Sequence, residues 1–240
     1  MQKSIPAPAE DEIVFDCFGP FGCFTIPTFR TERFSYDVPT PSACVGLLKQ
    51  IYWHPSFDYE CVKIEVFNEI RRIQMTTNEL TAPVTGSAVL KYANGETGVS
   101  ISVPRYEARQ QRSTNMLKDV YYRVTCKIVP SYFDYKEEFD LAKARAIVTR
   151  RIQHGQMYRA PYFGMRECLA YVRPVDARKT SFYENKGEID LGTMLYDVEY
   201  IRRGEAKRKE YDDVSPHFYH PVMKGGIITV PDRREVYSQK

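Results

Sequence analysis

No apolar run in the sequence approaches the ~20 residues needed to span a bilayer, so no membrane segment is expected. The opening stretch, MQKSIPAPAEDE, lacks the apolar core of a secretory signal. The six cysteines, at 17, 23, 44, 61, 126 and 168, include no CxxC pair. That argues against a zinc ribbon and for a reduced, cytoplasmic setting. No HxH or DxD pattern supplies the ligands of a two-metal centre, and neither a metal nor a cofactor is expected. Internal repeats and an RNP-type aromatic signature are also missing. At 43% hydrophobic and 27% charged residues, the chain is neither disordered nor fibrous. Its 240 residues suffice for a core without disulfide or metal support.

What the chain has in quantity is tyrosine, 18 residues beside 13 phenylalanines and one tryptophan. Tyrosine suits a half-buried sheet, and it also suits stacking on nucleic-acid bases. The charge is uneven. Residues 1–60 carry 4 basic and 8 acidic side chains, whereas residues 105–178 carry 15 and 8, net +7, in a protein of net +3. A concentrated basic stretch fits either a phosphate-binding surface or a solvated helix face.

Patterning gives a provisional order of elements. Residues 13–18 form a first strand, which breaks or doubles back at FGPFGCF. Thr40 and Pro41 make an N-cap and a first helical position, opening a helix to about Trp53 that Pro55 stops. Its inner face is expected to hold Val45, Leu48 and Tyr52. Residues 61–76 read as one or two strands. Residues 77–118 read as a protruding β-hairpin insertion, with two β-like runs around an Asn94–Gly95 turn. A strand over 119–129, a helix over 134–154 and a strand over 168–175 follow. The C-terminal part offers strand-like residues 191–201, a charged loop and a last strand, GGIITV, at 225–230.

Without the insertion the order is β, α, β, β, α, β. This is the split βαβ order of an α+β, ferredoxin-like (RRM-like) fold, with two helices on one sheet face and the other face able to meet RNA. The expected division is a ferredoxin-like N-terminal domain at 1–175, carrying the hairpin insertion, and a small C-terminal β-region at 176–240.

The stretch FGPFGCFTIPTFRTERFSYDVPTPSACVGLLKQIYWHP carries a specific pattern: a phenylalanine closely followed by proline, a basic-acidic-basic segment, Ser-Tyr-x-Val-Pro, and a helix ending Ile-Tyr-Trp-x-Pro. Further on come QQRSTNMLKDVYYRV, FGMRECLAYV, DLGTMLYDVEY and VMKGGIITVP. Together, and in this order, they resemble the Cas-five family of CRISPR-associated proteins, subtype I-C, across nearly the whole chain. The resemblance implies a protein that binds precursor CRISPR RNA, cuts it at the repeat hairpin, and keeps the mature RNA by its 5′ handle. It also implies backbone and large subunits of a type I-C surveillance complex as partners.

By the same resemblance the active site holds a Tyr at the end of the first helix and a Lys-His pair at the start of the second. Tyr52 takes the first place and Lys143 the second, while Ala144 stands where the family carries His. A one-residue slip would bring Arg145 there instead, and neither side chain is a general base. The chain is therefore either a metal-independent endoribonuclease or an inactive subunit that caps the RNA. Histidine at position 144, near a helix start, is expected to fit at small cost. His54, His154, His217 and His220 are expected to be structural or exposed.

Lys143, Arg150 and His154, with Arg151 beside them, fall on one helical stripe, and Ala144, Val148 and Ile152 fall on another. The basic stripe is read as an RNA track, extended by Arg105, Arg109 and Arg112 at the insertion and by Arg159. Arg30, Arg33 and Tyr36 are candidates for handle contacts. Glu137, Glu138 and Asp140 read as charge complementing the second helix's N-terminus. Gly225–Gly226 is a place where backbone could approach closely.

Overall fold

The structure is a computed structural model that describes residues 8–29, 32–80, 86–96, 98, 109–131, 139–201 and 213–238. The side chains of residues 80, 109, 201 and 213 are outside that description. The fold is mixed and sheet-rich. Among the described residues nine strands form one sheet, two more form a separate ribbon, and there are four helices.

Strand β5 (Arg109–Pro130) organises the sheet. Its C-terminal half is flanked by β1 (Glu12–Gly22) and β3 (Phe57–Val66), both antiparallel to it. The short β6 (Tyr171–Arg173) pairs with β1, so the centre of the sheet runs β6-β1-β5-β3 with every neighbour antiparallel. Beyond β3 the same sheet continues through β11 (Ile227–Thr229), β10 (Val222–Lys224) and β7 (Glu188–Asp190). The N-terminal half of β5 pairs with β4 (Arg71–Leu80) as a long two-stranded arm, with β2 (Arg33–Phe34) alongside. Strands β8 (Met194–Ile201) and β9 (Asp213–Tyr219) make the separate ribbon.

One face of the sheet is the core. Alternation turns Ile13, Phe15 and Cys17 of β1, Tyr59 and Cys61 of β3, and Tyr122, Val124 and Cys126 of β5 to that side. Helix α1 (Pro41–Ile51) packs Cys44, Leu47, Leu48 and Ile51 into it. Helix α3 (Leu141–His154) adds Ala144, Val148 and Ile152. All six cysteines are free and buried in this core or at its margin. Burial pushes the Cys23 thiol up to about 11 and Cys168 up to about 12, so neither is a ready nucleophile.

Both helix starts follow the sequence signals. Thr40 Oγ1 accepts from the Ala43 amide at 3.2 Å, with Pro41 next. Asp140 Oδ1 accepts from the Lys143 amide at 2.9 Å. Helix α3 therefore begins at Leu141 rather than 134, and Glu137 and Glu138 lie outside the described residues. The inner face of α1 is rotated from the expected one: Val45 and Tyr52 are only half-buried. Gly155, at φ 64°, closes α3 in the left-handed conformation.

Several expectations need correction. Strand β1 does not break at its glycines. Gly19 is needed because a Cβ there would lie 2.5 Å from the Leu169 carbonyl oxygen. The insertion hairpin is built from β4 and β5, and its expected first run is the helix α2 (Gly86–Ala93). Leu90, Lys91 and Ala93 are good helix formers, and Gly95 at φ 73° follows the helix end rather than forming a strand turn. Most of the second run falls outside the described residues. The strand expected over 168–175 shrinks to three residues. Gly225 and Gly226, at φ 57° and 84°, form the two-residue turn between β10 and β11, which requires positive φ at both positions.

Where the arm leaves the core, β5 carries Asp119 at φ 52°, a non-glycine residue in left-handed backbone. The register of β1 against β5 passes over Pro20 and Asp119. Arg71 Nη2 donates to Asp119 Oδ2 and Asn68 Nδ2 to its carbonyl oxygen, both at 2.7 Å. A β-branched residue is strained here, whereas Asn tolerates the conformation. Asp119→Val is expected to lose about 1–2 kcal/mol of stability and Asp119→Asn much less, as read by urea denaturation.

Candidate functional site

Tyr52 is the C-cap of α1, with an extended backbone that turns its ring away from the helix axis. Its amide donates to the Leu48 carbonyl oxygen at 3.0 Å, and its own carbonyl oxygen accepts from the Tyr59 hydroxyl at 2.8 Å. The chain direction at this point is thus fixed from both sides. Arg151 of α3 reaches across, with Nη1 donating to the Ile51 carbonyl oxygen at 2.8 Å and its guanidinium 4.8 Å from the Tyr52 ring centroid. One side chain both satisfies the end of α1 and holds a positive charge over the phenol.

The ring of Phe57 joins the rest of the cluster. It lies 5.7 Å from Tyr52, 6.2 Å from His54 in a stacked arrangement, and 6.2 Å from Phe139, the residue before the α3 cap. From the sequence, His54 is expected to be structural or exposed. In the structure it is the one of four imidazoles built into this cluster, with Nδ1 2.9 Å from Ser56 Oγ. The signal that could have found it is its place two residues after Tyr52, beyond the helix end, where α-helical geometry no longer sets direction.

Lys143 is exposed in the first turn of α3. It precedes Arg151 by eight residues, or about 12 Å along the axis. The cation on the Tyr52 ring is Arg151, and Lys143 belongs to the opposite end of α3. Ala144 is 4% exposed and packs in the core with Val148 and Ile152. The expectation that His fits there at small cost does not hold. An imidazole would have to be forced into a filled interior, at a cost of about 1–3 kcal/mol.

The other candidates separate. Arg150 and His154 are exposed on the outer side of α3, with His154 Nδ1 2.8 Å from the Arg150 carbonyl oxygen. Arg159 is tied to α1 instead, because its amide and that of Tyr158 both donate to the Gln50 carbonyl oxygen. The Arg159 guanidinium is 5.4 Å from the ring of exposed Tyr158. Arg151 belongs to the Tyr52 cluster rather than to the outer stripe. Arg33 and Arg112 share the carboxylate of Glu79 on the arm. Tyr36 is buried, and its hydroxyl accepts from the Leu195 amide at 3.1 Å, so its ring is core and offers no stacking face. Arg30, Arg105 and the side chain of Arg109 lie outside the described residues. His217 stacks on Tyr237 at 3.8 Å and pairs with Glu199, and His220 pairs with Asp190. Both serve the C-terminal strands.

The fold and this half-buried Tyr–Arg–His cluster can be set beside known proteins. A family model described as CRISPR-associated protein (Cas_Cas5), of the Cas5d type, matches residues 12–231. The curated relative from Mannheimia succiniciproducens, named CRISPR pre-crRNA endoribonuclease Cas5d, is 32% identical over 89% of this chain and 92% of its own. One of the same name from Thermus thermophilus is 33% identical over 89% of each chain. A crystal structure of a CRISPR-associated protein covers 94% of both chains at 26% identity, with a TM-score of 0.65. The chain belongs to the Cas5 family of CRISPR-associated proteins, in its Cas5d branch.

If Arg151 ties the two helices together while Arg150 is only surface, the two neighbours respond differently to truncation. Arg151→Ala is expected to cost about 1–2 kcal/mol of stability through the lost carbonyl bond and ring contact, and Arg150→Ala less than about 0.5. Denaturant unfolding of both variants checks this.

Proposed function

We propose that this chain cuts precursor CRISPR RNA beside the repeat hairpin without a metal, and then holds the 5′ handle within a type I-C surveillance complex. The fold reading that accompanies it is ferredoxin-like. The order β6-β1-β5-β3 with α1 and α3 on one face is the arrangement a split βαβ would give, with a C-terminal β-region from about residue 176. The observation that carries the reading is Tyr52, a half-buried phenol at the end of α1 under the Arg151 guanidinium, in a chain whose curated relatives are named pre-crRNA endoribonucleases.

The reaction requires no group beyond side chains. The 2′-oxygen attacks the adjacent phosphorus as its proton passes to a base, and the 5′-oxygen leaves with a proton from an acid. The products are a 2′,3′-cyclic phosphate and a 5′-hydroxyl. Tyr52 supplies a hydroxyl for proton transfer or positioning. Arg151 supplies the cation for the crowded phosphate, and Lys143, about 12 Å away along α3, one for a neighbouring phosphate. Arg150, His154 and Arg159 line the approach. The exposed helix α2, which presents Val89, Leu90 and Tyr92, supports a reading in which the arm meets the backbone subunits.

A second reading, capping without cutting, is favoured by Ala144, whose methyl group is sealed in the core and moves no proton. Incubation of the repeat hairpin with the protein in EDTA separates the two. The endonuclease reading expects cyclic-phosphate ends, with Tyr52→Phe slowing cleavage by roughly 10²-fold at unchanged affinity. Tight binding without product assigns the capping role. In the same binding assay, Arg150→Ala is expected to reduce the log–log salt slope by about 0.7–0.9, the share of one phosphate. An unchanged slope removes Arg150 from the track.

A further inference from the structure

The sheet face opposite the helices carries a feature that the site around Tyr52 does not use. Three rings from three neighbouring strands stand in one row. Phe18 of β1 faces Tyr121 of β5 on one side and Tyr171 of β6 on the other, each as a direct cross-strand partner. The rings stack nearly parallel, Phe18 on Tyr121 at 5.5 Å and 14°, and Phe18 on Tyr171 at 5.6 Å and 28°. Core ring pairs in the same molecule are edge-on: Phe24–Tyr122 at 67°, Phe24–Phe163 at 76°, Tyr122–Phe163 at 80° and Phe57–Tyr59 at 85°. Edge-on packing fills an interior, whereas a parallel row presents a flat face at its end. Here that end is Tyr171, on the edge strand and 56% exposed.

Fixed cations surround the row. The Arg173 guanidinium lies 5.0 Å from the Phe18 centroid and 5.5 Å from that of Tyr121, and its Nη2 donates to the Tyr121 hydroxyl at 2.8 Å. Lys179 Nζ is 4.6 Å from the Tyr121 ring. The carboxylates of this face are engaged within it. Asp16, fully buried, accepts from Arg123 Nε at 2.7 Å, from the Tyr121 hydroxyl at 2.8 Å and from the Asp176 amide at 2.9 Å. Asp176 pairs with Arg178 at 3.2 Å and with Arg173 at 3.6 Å. Glu65 of β3 stands opposite Arg123 on this face and pairs with Lys63 at 2.8 Å, so among the described residues Lys63, Arg123, Arg173, Arg178 and Lys179 face Asp16, Glu65 and Asp176, and the surplus is positive. Arg178 and Arg173 keep 81% and 42% of their side-chain surface exposed.

We propose that this row is a binding platform for single-stranded RNA, in which a base extends the stack on Tyr171 and the flanking phosphates meet Arg173 and Arg178. A flat aromatic end beside a net positive rim takes a base and its phosphates without reading sequence. The pinned Arg173 limits the order that binding must impose. This platform rests on the RNA-processing reading but lies on the opposite side of the sheet from Tyr52, so the two are separable.

The probe is a short, unstructured poly-uridine oligonucleotide carrying one 2-aminopurine, whose fluorescence is quenched when the base stacks. The protein is expected to bind it and quench it. Tyr171→Ala is expected to weaken binding by about 5- to 150-fold, with loss of quenching, and Tyr171→Trp to restore both. Tyr171 is exposed, so the variant keeps its fold, and binding of the repeat hairpin in the same preparation is expected to be unchanged. Equal affinity and quenching for Tyr171→Ala and the unmodified protein overturns the platform while leaving the hairpin reading intact. Failure of the unmodified protein to bind either RNA overturns both. A Tyr171→Ala effect confined to association with another protein subunit also overturns it, by making the row a protein contact.

Discussion

A strand of 22 residues must find partners for its backbone along its whole length, and β5 recruits most of the fold to do so. Strands β1 and β3 flank its second half from either side, and β4 and β2 take up its first half. The change of partners falls at Asp119, where the left-handed backbone redirects the strand without ending it. Arm and core are therefore one continuous element, and a load on the arm is transmitted into the sheet through a hydrogen-bonded ladder. The Arg71 and Asn68 hydrogen bonds at Asp119 brace that joint.

Because β1 and β5 lie at the centre, both sheet faces inherit their alternation. Cys17 and Tyr122 go to the helices, and Phe18 and Tyr121 go to the other side. On that second face the buried pair Asp16–Arg123 ties β1 to β5 and, through the Asp176 amide and carbonyl oxygen, to the segment after β6. A buried pair of this kind adds little net stability, but loss of one partner strands the other, at about 3–5 kcal/mol. Its structural consequence is that Tyr121, bonded to the same carboxylate, cannot turn away from Phe18. The flatness of the ring row follows from the electrostatics beneath it.

Local signals in the sequence were dependable. Thr40–Pro41 opened α1, Ala144, Val148 and Ile152 lined the inner face of α3, and the Gly225–Gly226 pair met a real geometric need. The errors came where two structures satisfy one pattern. Residues 86–95 read as a strand and turn, but Leu, Lys and Ala with a following glycine serve equally as a short helix and its end. Tyr36 sat in a polar, Arg-bearing loop, yet its burial depends on Leu195, 159 residues away in the chain. Arg151 looked like its neighbour Arg150, and only the position of α1 distinguishes them. Phe18, Tyr121 and Tyr171 have no local motif at all, since what makes them a row is the strand order and register of the folded sheet.

Position 144 shows how a sequence correspondence and a packing constraint diverge. In the register taken from the family resemblance, the residue beside Lys143 should carry an imidazole into the site. The structure turns that residue inward, on the same stripe as Val148 and Ile152, whereas Lys143 points out. Adjacent residues on a helix are separated by about 100°, so they do not share a face. An imidazole at 144 would therefore start on the core side, away from the face that Lys143 exposes, and the Asp140 cap, by holding the Lys143 amide, opposes rotation of the first turn. On the endonuclease reading, proton transfer falls to the α1 side, where Tyr52 and His54 share the ring of Phe57, while α3 contributes charge through Arg151. Phenol and imidazole come from one helix end and guanidinium from the other helix, so the relative placement of α1 and α3, and with it the Arg151–Ile51 bond, sets the geometry of any chemistry performed there.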